Sequence, residues 1–288
     1  MPIDKMLGLR RPRLERVTVE KLQVATPDGL TIAAYAWGNP QGREIVFMHG
    51  YSQCYLSWRR QIEDLDLADE FRMVAYDLRG HGGSSQPVDR ELYKHDKVWA
   101  DDLKAVIDAA GMKKPVLVAW SYAGRIVADY VKAYGQDGIA GVNYVAASTK
   151  ADRKFMGPGI KYVIEMASDD IATSVRAARM FVHACFAGRP AGEEMDTTLG
   201  YTQLVPAKIR SAMMERTRDT GDVLPQLKVP VLASHGSMDR IFLAAASRHV
   251  AEVTPGAKLS IYDGVGHTPF FEDPNRFNRE LAEFVRAT

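Results

Sequence analysis

From Glu44 to the end of the chain, short apolar runs rich in β-branched residues alternate with longer segments of helical periodicity. The runs are Glu44–Met48, Arg72–Tyr76, Val116–Trp120, Ile139–Ala147, Val229–Ser234 and Lys258–Tyr262. Between and after them, Tyr55–Asp69, Asp96–Ala110, Tyr122–Tyr134, Ala244–Val253 and Pro274–Arg286 read as helices. This order predicts parallel strands, because each parallel pair needs a long crossover and a helix supplies it. Ahead of it, Val17–Ala25 and Leu30–Trp37 are joined by Thr26–Pro27–Asp28–Gly29, a hairpin signal. The predicted fold class is α/β, with a mostly parallel central sheet and helices on both faces.

The alternation stops between Asp152 and Asp222, where no strand-like run occurs. Helix-like segments stand at Ile160–Ser168, Ile171–Phe186 and Pro206–Arg218, separated by Gly188–Arg189–Pro190 and by Leu199–Gly200. The expected organisation is one α/β core, residues 1–151 and 223–288, with a helical cap insertion at 152–222. A chain of 288 residues is long enough for that arrangement.

The run Val116–Trp120 ends abruptly at Ser121, and a helical pattern begins at once. Strand, sharp turn, helix, with serine at the apex, is the context of a nucleophile elbow. The usual flanking glycines are replaced by Ala119 and Ala123, the next smallest residues, where strand and helix nearly touch. A serine hydroxyl needs a base within reach and the base needs an orienting acid. In a parallel sheet such groups gather at the carboxyl ends of the strands. His267 comes after the last strand in Gly264–Val265–Gly266–His267–Thr268–Pro269, a glycine-flanked loop expected to be flexible. Asp239 comes a few residues after the preceding strand, with Asp152 its main competitor. Asp263 and Asp273 are too close to His267 in sequence to face it. His49 and His81 also come after strands, but each sits beside a glycine in a turn, where a structural hydrogen bond is the better reading. His95, His183, His235 and His249 carry no distinguishing feature. The amides of Tyr51 and Tyr122 are the candidate oxyanion donors. Trp120 points away from the site by strand alternation and reads as packing.

Lys+Arg number 37 and Asp+Glu 36, so the net charge of +1 gives no basic face for nucleic acid or an anionic membrane. The basic stretch Arg10–Arg11–Pro12–Arg13 reads as a solvated lead-in. No apolar run of transmembrane length and no signal-peptide pattern is visible. Cys54 and Cys185 stand in no metal-ligand spacing, and two reduced thiols in a cytoplasmic protein fit them best. No metal, no organic cofactor and no nucleic-acid partner is expected; a homo-oligomer is left open.

Taken together these pieces resemble the α/β-hydrolase superfamily. His49–Gly50–Tyr51–Ser52 looks like its oxyanion-hole motif, and Asp77–Leu78–Arg79–Gly80–His81–Gly82–Gly83–Ser84–Ser85 like its structural turn after the fourth strand. Ser121, Gly236-x-x-Asp239 and Gly266–His267–Thr268–Pro269–Phe270–Phe271–Glu272–Asp273–Pro274 match its nucleophile, acid and histidine positions. A serine at the elbow, rather than aspartate, sets the chain apart from the dehalogenases and epoxide hydrolases. The resemblance is strongest to carboxylesterases, lactonases and cofactor-free perhydrolases. It implies a small-molecule ester or lactone substrate and an acyl-enzyme on Ser121. Perhydrolysis, acyl transfer or carbon–carbon bond hydrolysis on the same residues are alternatives, and a non-catalytic ligand-binding protein is an alternative of another class. Phe186, Tyr201 and Phe270 are expected in the wall of the substrate pocket.

Overall fold

The computed structural model describes residues 17–188, 190–216 and 220–288. The lead-in Arg10–Arg13, Arg189 and the end of the helix expected at Pro206–Arg218 lie outside the described residues or run out of them. Eight strands form one sheet: β1 (Glu20–Ala25), β2 (Thr31–Gly38), β3 (Arg43–Met48), β4 (Phe71–Tyr76), β5 (Val116–Trp120), β6 (Gly141–Val145), β7 (Val231–Gly236) and β8 (Lys258–Tyr262). Their spatial order is β1-β2-β4-β3-β5-β6-β7-β8. The hairpin β1–β2 joins the sheet antiparallel through β4, and every other neighbouring pair is parallel. The fold is the α/β class expected. Strand β1 begins at Glu20 rather than Val17.

Among the described residues there are twelve α-helices. They are α1 (Arg59–Ile62), α2 (Leu65–Glu70), α3 (Glu91–Lys94), α4 (Asp96–Ala109), α5 (Ala123–Tyr134), α6 (Ile160–Glu165), α7 (Ile171–Cys185), α8 (Gly192–Gln203), α9 (Ala207–Met214), α10 (Ala245–Val253), α11 (Pro269–Glu272) and α12 (Pro274–Arg286). The helix expected over Tyr55–Asp69 is broken into a 3-10 turn at Tyr55–Trp58 and then α1 and α2. Asp64 causes the break. It caps α2 by accepting from the Leu67 amide at 2.9 Å, and its other oxygen accepts from Asn278 Nδ2 at 2.7 Å. A residue in capping conformation cannot continue a helix.

Alternate residues of β5 enter different cores, as a period of two requires. Leu117 and Ala119 pack with α4 and α5 residues such as Leu103 and Ile126. Val116, Val118 and Trp120 face Trp58, Phe270 and Phe277 on the other side. Burying each such large side chain stabilises the fold by roughly 1.5–3 kcal/mol.

Between β6 and β7 the described residues form helices α6 to α9 and no strand, and an isolated β-bridge pairs Met156 with Phe242. Leu199–Gly200, expected to separate helices, lies inside α8. Thr198 and Thr202 form the buried stripe of that helix, and an exposed glycine in a helix costs only about 1 kcal/mol relative to alanine. No described helix is long and apolar enough to cross a membrane. Cys54 and Cys185 are both buried, unbonded thiols.

Candidate active site

Strand β5 runs between β3 and β6, so the turn at its end lies at the middle of the sheet's carboxyl edge. Ser121 stands there with φ of +55°, a conformation that costs a side-chain-bearing residue roughly 1–3 kcal/mol. Backbone bonds pin it. Its N–H donates to the Val145 carbonyl at 2.9 Å, and its carbonyl accepts from Gly124 at 3.1 Å and Ser148 at 2.9 Å. Ala119 and Ala123 are fully buried. The tight contact is at Gly124, where a Cβ would lie 2.8 Å from the Ala147 methyl.

Asp239 and His267 meet beside this edge. His267 Nδ1 donates to Asp239 Oδ2 at 2.7 Å, and both side chains are buried. The other oxygen of Asp239 accepts from the Ile241 and Phe242 amides at 2.7 and 3.1 Å. Burial pushes the Asp239 carboxyl up, but the charge of His267 and hydrogen bonds from His235 and His267 outweigh it and hold the group well below the usual carboxylate range. With Nδ1 committed to the carboxylate, Nε2 is the basic nitrogen of His267. It is buried and has no hydrogen-bond partner among the described residues. Asp152 is elsewhere, capping the turn at Arg153–Phe155 through the Lys154 amide. Asp263 accepts from Ser237, and Asp273 caps α12.

The loop after β3 lies against Ser121. A Cβ at Gly50 would be 3.1 Å from the Ser121 Cβ. His49 holds the loop: its Nε2 accepts from the Leu78 amide at 2.9 Å and its Nδ1 donates to the Gly50 carbonyl at 2.8 Å. His81 repeats the device, accepting from the Ser52 amide at 3.1 Å and donating to the Arg79 carbonyl at 2.9 Å. Burial depresses both imidazoles, His81 to about 4. Their structural reading therefore holds. Tyr122 is the N-cap of α5, so its amide is among the helix's unpaired first-turn donors.

A cavity of about 110 Å³ opens at Ser121. Tyr51, Tyr122 and Ser148 line it from the strand ends, and Ile160, Phe181 and Met213 from the helical segment. Phe186, Tyr201 and Phe270, expected in its wall, instead line a smaller cavity beneath α7 and α8. Phe270 is fully buried against Trp58 and Trp120, with ring centroids 4.4 and 4.9 Å apart. Aromatic content alone does not tell which side of the helical segment a residue faces.

Residues 45–280 match the model of the alpha/beta hydrolase family. The chain belongs to that family. A Burkholderia cenocepacia structure, described provisionally as an aryl esterase, is 33% identical, with 93% of this chain and 98% of that one covered and a TM-score of 0.88. The esterase RhEst1 from Rhodococcus sp. ECU1013 is 32% identical, covering 92% and 98%, with a TM-score of 0.86. The bifunctional esterase/perhydrolase DCH of Acinetobacter calcoaceticus is 27% identical over 92% of this chain and 99% of its own.

Three supports of the hydrolase's site are not visible in the sequence. His235 places Nε2 2.9 Å from both Asp239 Oδ2 and the Phe242 carbonyl, while Nδ1 lies 2.8 Å from Ser247 Oγ. Both Nε2 partners accept, so Nε2 carries the proton and Nδ1 accepts from the serine. Trp120 packs as expected, but its indole N–H also donates to the His267 carbonyl at 3.0 Å. Glu272 accepts from the Gly266 and Ala187 amides at 2.9 and 2.8 Å and from Thr268 at 3.0 Å. With the His267 amide donating to the Cys185 carbonyl at 2.7 Å, the loop expected to be flexible is fixed at both ends. Position at the carboxyl end of β7, one residue before the nucleophile and inside the histidine motif were the available signals. None of them states a partner.

Proposed function

We propose that this hydrolase cleaves small carboxylic esters and lactones through an acyl-enzyme on Ser121. The observations that carry the reading are His267, clamped at Nδ1 by a buried carboxylate and with Nε2 unpaired among the described residues, and a serine held at the apex of a strand–helix turn. Ser121 Oγ attacks the carbonyl carbon and His267 Nε2 takes its proton. Asp239 keeps the imidazole in that tautomer and stabilises its charged form. The Tyr51 and Tyr122 amides receive the oxyanion, each worth about 3 kcal/mol in the transition state. The protonated His267 then gives its proton to the departing alcohol. Water, deprotonated by His267, attacks the acyl-enzyme and frees the acid and Ser121.

Residues 152–222 act as a cap in this reading, because α6, α7 and α9 supply one wall of the cavity. The wall is apolar, which suits a hydrocarbon or aromatic acyl or alcohol portion. The similarity to an esterase/perhydrolase supports a second outcome at the same acyl-enzyme, attack by hydrogen peroxide in place of water.

A fluorophosphonate probe tests the proposal. Wild type is expected to label and Ser121→Ala not to, with ester turnover lower by at least about 10³-fold in the variant. Equal labelling of the two proteins would sink it. Tight ligand binding without turnover would point to the non-catalytic alternative. Product analysis with peroxide present measures the partition between acid and peracid.

A further inference from the structure

Arg210 lies in α9, outside the candidate triad, yet its side chain is fully buried and among the described residues no carboxylate pairs with it. Burial depresses its pKa from the ordinary arginine value. A buried guanidinium needs acceptors, and every one it finds is neutral. Nη1 donates to the Met166 carbonyl at 2.9 Å and to Ser174 Oγ at 3.1 Å, and Nη2 donates to the Thr202 carbonyl at 2.5 Å. Met166 is the C-cap of α6, and Thr202 lies in the last turn of α8. These bonds satisfy carbonyls that a helix end leaves unpaired, which is a structural task.

Two further bonds do not belong to that task. Arg210 Nε donates to Ser52 Oγ at 3.1 Å, and the Arg210 backbone carbonyl accepts from the Tyr51 hydroxyl at 3.0 Å. One residue of the helical segment therefore grips two consecutive residues of the loop against Ser121. Ser52 has φ of +58°, outside the preferred region for a residue with a side chain, so this turn needs external restraint. His81 holds it from the sheet side and Arg210 from the cap side. Beside them Gln53 Nε2 donates to Thr202 Oγ1 at 3.1 Å.

We infer that Arg210 is a positioning residue for catalysis: by clipping Tyr51 and Ser52 to the cap helices, it sets the Tyr51 amide where the oxyanion forms. This rests on the proposed acyl-enzyme reading and goes beyond it. It makes the cap part of transition-state stabilisation as well as a wall for the substrate. The oxyanion site is then complete only while α9 is docked.

The test is steady-state kinetics on an activated ester, with the rate of fluorophosphonate labelling as a second readout. Arg210→Gln is expected to lower kcat about 10²-fold, the scale of a roughly 1 Å misplacement, and to leave KM within about twofold. Labelling of Ser121 slows in parallel. Arg210→Lys keeps the charge but lacks the fork, so it rescues the fold and recovers kcat only in part. Tyr51→Phe and Ser52→Ala each remove one bond of the clip and leave the Arg210 Nη bonds to the helix ends in place, and each is expected to cost about threefold to tenfold in kcat. If Arg210→Gln does not fold, these two variants decide. An unchanged kcat in both, or a rise in KM alone, overturns the inference. A wild type that neither labels nor turns over would instead remove the acyl-enzyme reading beneath it.

Discussion

The rim of the sheet and the helical segment above it are held together by different means. At the rim, backbone meets backbone. A Cβ on Gly236 would lie 1.9 Å from the Gly266 carbonyl oxygen, and one on Gly50 would press on Ser121. Oδ1 of Asp239 and the ring nitrogens of His49 and His81 bond main-chain amides and carbonyls. In the helical segment, the glycines at 192 and 200 have nothing within 4 Å. Long side chains do the joining there. Arg210 ties four partners, and the buried Arg216 bonds Asp129, Asp96 and the Tyr122 hydroxyl. At Gly236 and Gly50 the rim has no room for a methyl, and Gly157 and Gly159 are equally tight where the segment begins against Arg240, whereas α8 has room at Gly192 and Gly200 and the segment depends there on a few polar ties.

The contrast can be broken at the rim first. Asp239→Asn keeps the shape of the site and removes the charge that orients His267. It is expected to lower kcat about 10⁴-fold with the circular dichroism spectrum unchanged, and a loss under tenfold would show that another acid serves. Gly236→Ala should destabilise the fold by about 3 kcal/mol or more, because the obstructing atom is backbone and cannot rotate away. Denaturant titration measures it, and a shift below 1 kcal/mol, roughly the scale of a surface change, would show the rim to be softer than argued.

Acid should also act through the rim. The unfolded chain protonates His81 near pH 6.5, while the folded state resists until about 4. Stability is therefore highest above pH 6.5 and falls as the pH drops toward 4, by about 3 kcal/mol from this residue. His49 adds to the loss in the same direction. Asp239, held low in the fold, contributes stability above the ordinary carboxylate value of 3.8 and loses it as the pH falls below that. Unfolding curves across this range check the slope, and His81→Asn should flatten it. The smallest effect belongs to the helical segment. Gly200→Ala places a methyl in open space inside α8 and should raise stability by up to about 1 kcal/mol. Destabilisation there would mean that α8 is packed more closely than the contrast allows.

Much of the site was legible because its residues obey local rules. Ser121 stands between a β-branched strand and a helix, Asp239 and His267 come after the next strands, and His-Gly after β3 marks a turn. Each position is set by its own neighbours in sequence and by the parallel order of the sheet. Phe186, Tyr201 and Phe270 were misplaced for the opposite reason. Whether an aromatic of the helical segment faces Ser121 or a second hollow depends on how helices dock, and helical periodicity does not encode that. His235 and Glu272 looked ordinary because their partners are 4 to 85 residues away and half of them are main-chain atoms.

By itself the amino-acid sequence determined the α/β class, the parallel order, the interruption between β6 and β7, and the three residues on which the proposed chemistry rests. Periodicity and turn chemistry act over a few residues, so they survive the loss of all tertiary information. Only the tertiary structure decided which nitrogen of His267 is left for a proton, which glycine bears the strand–helix crossing, and that Arg210 joins the helical segment to the loop beside Ser121. These are distances between segments far apart in the chain. They exist only once packing has brought the segments together.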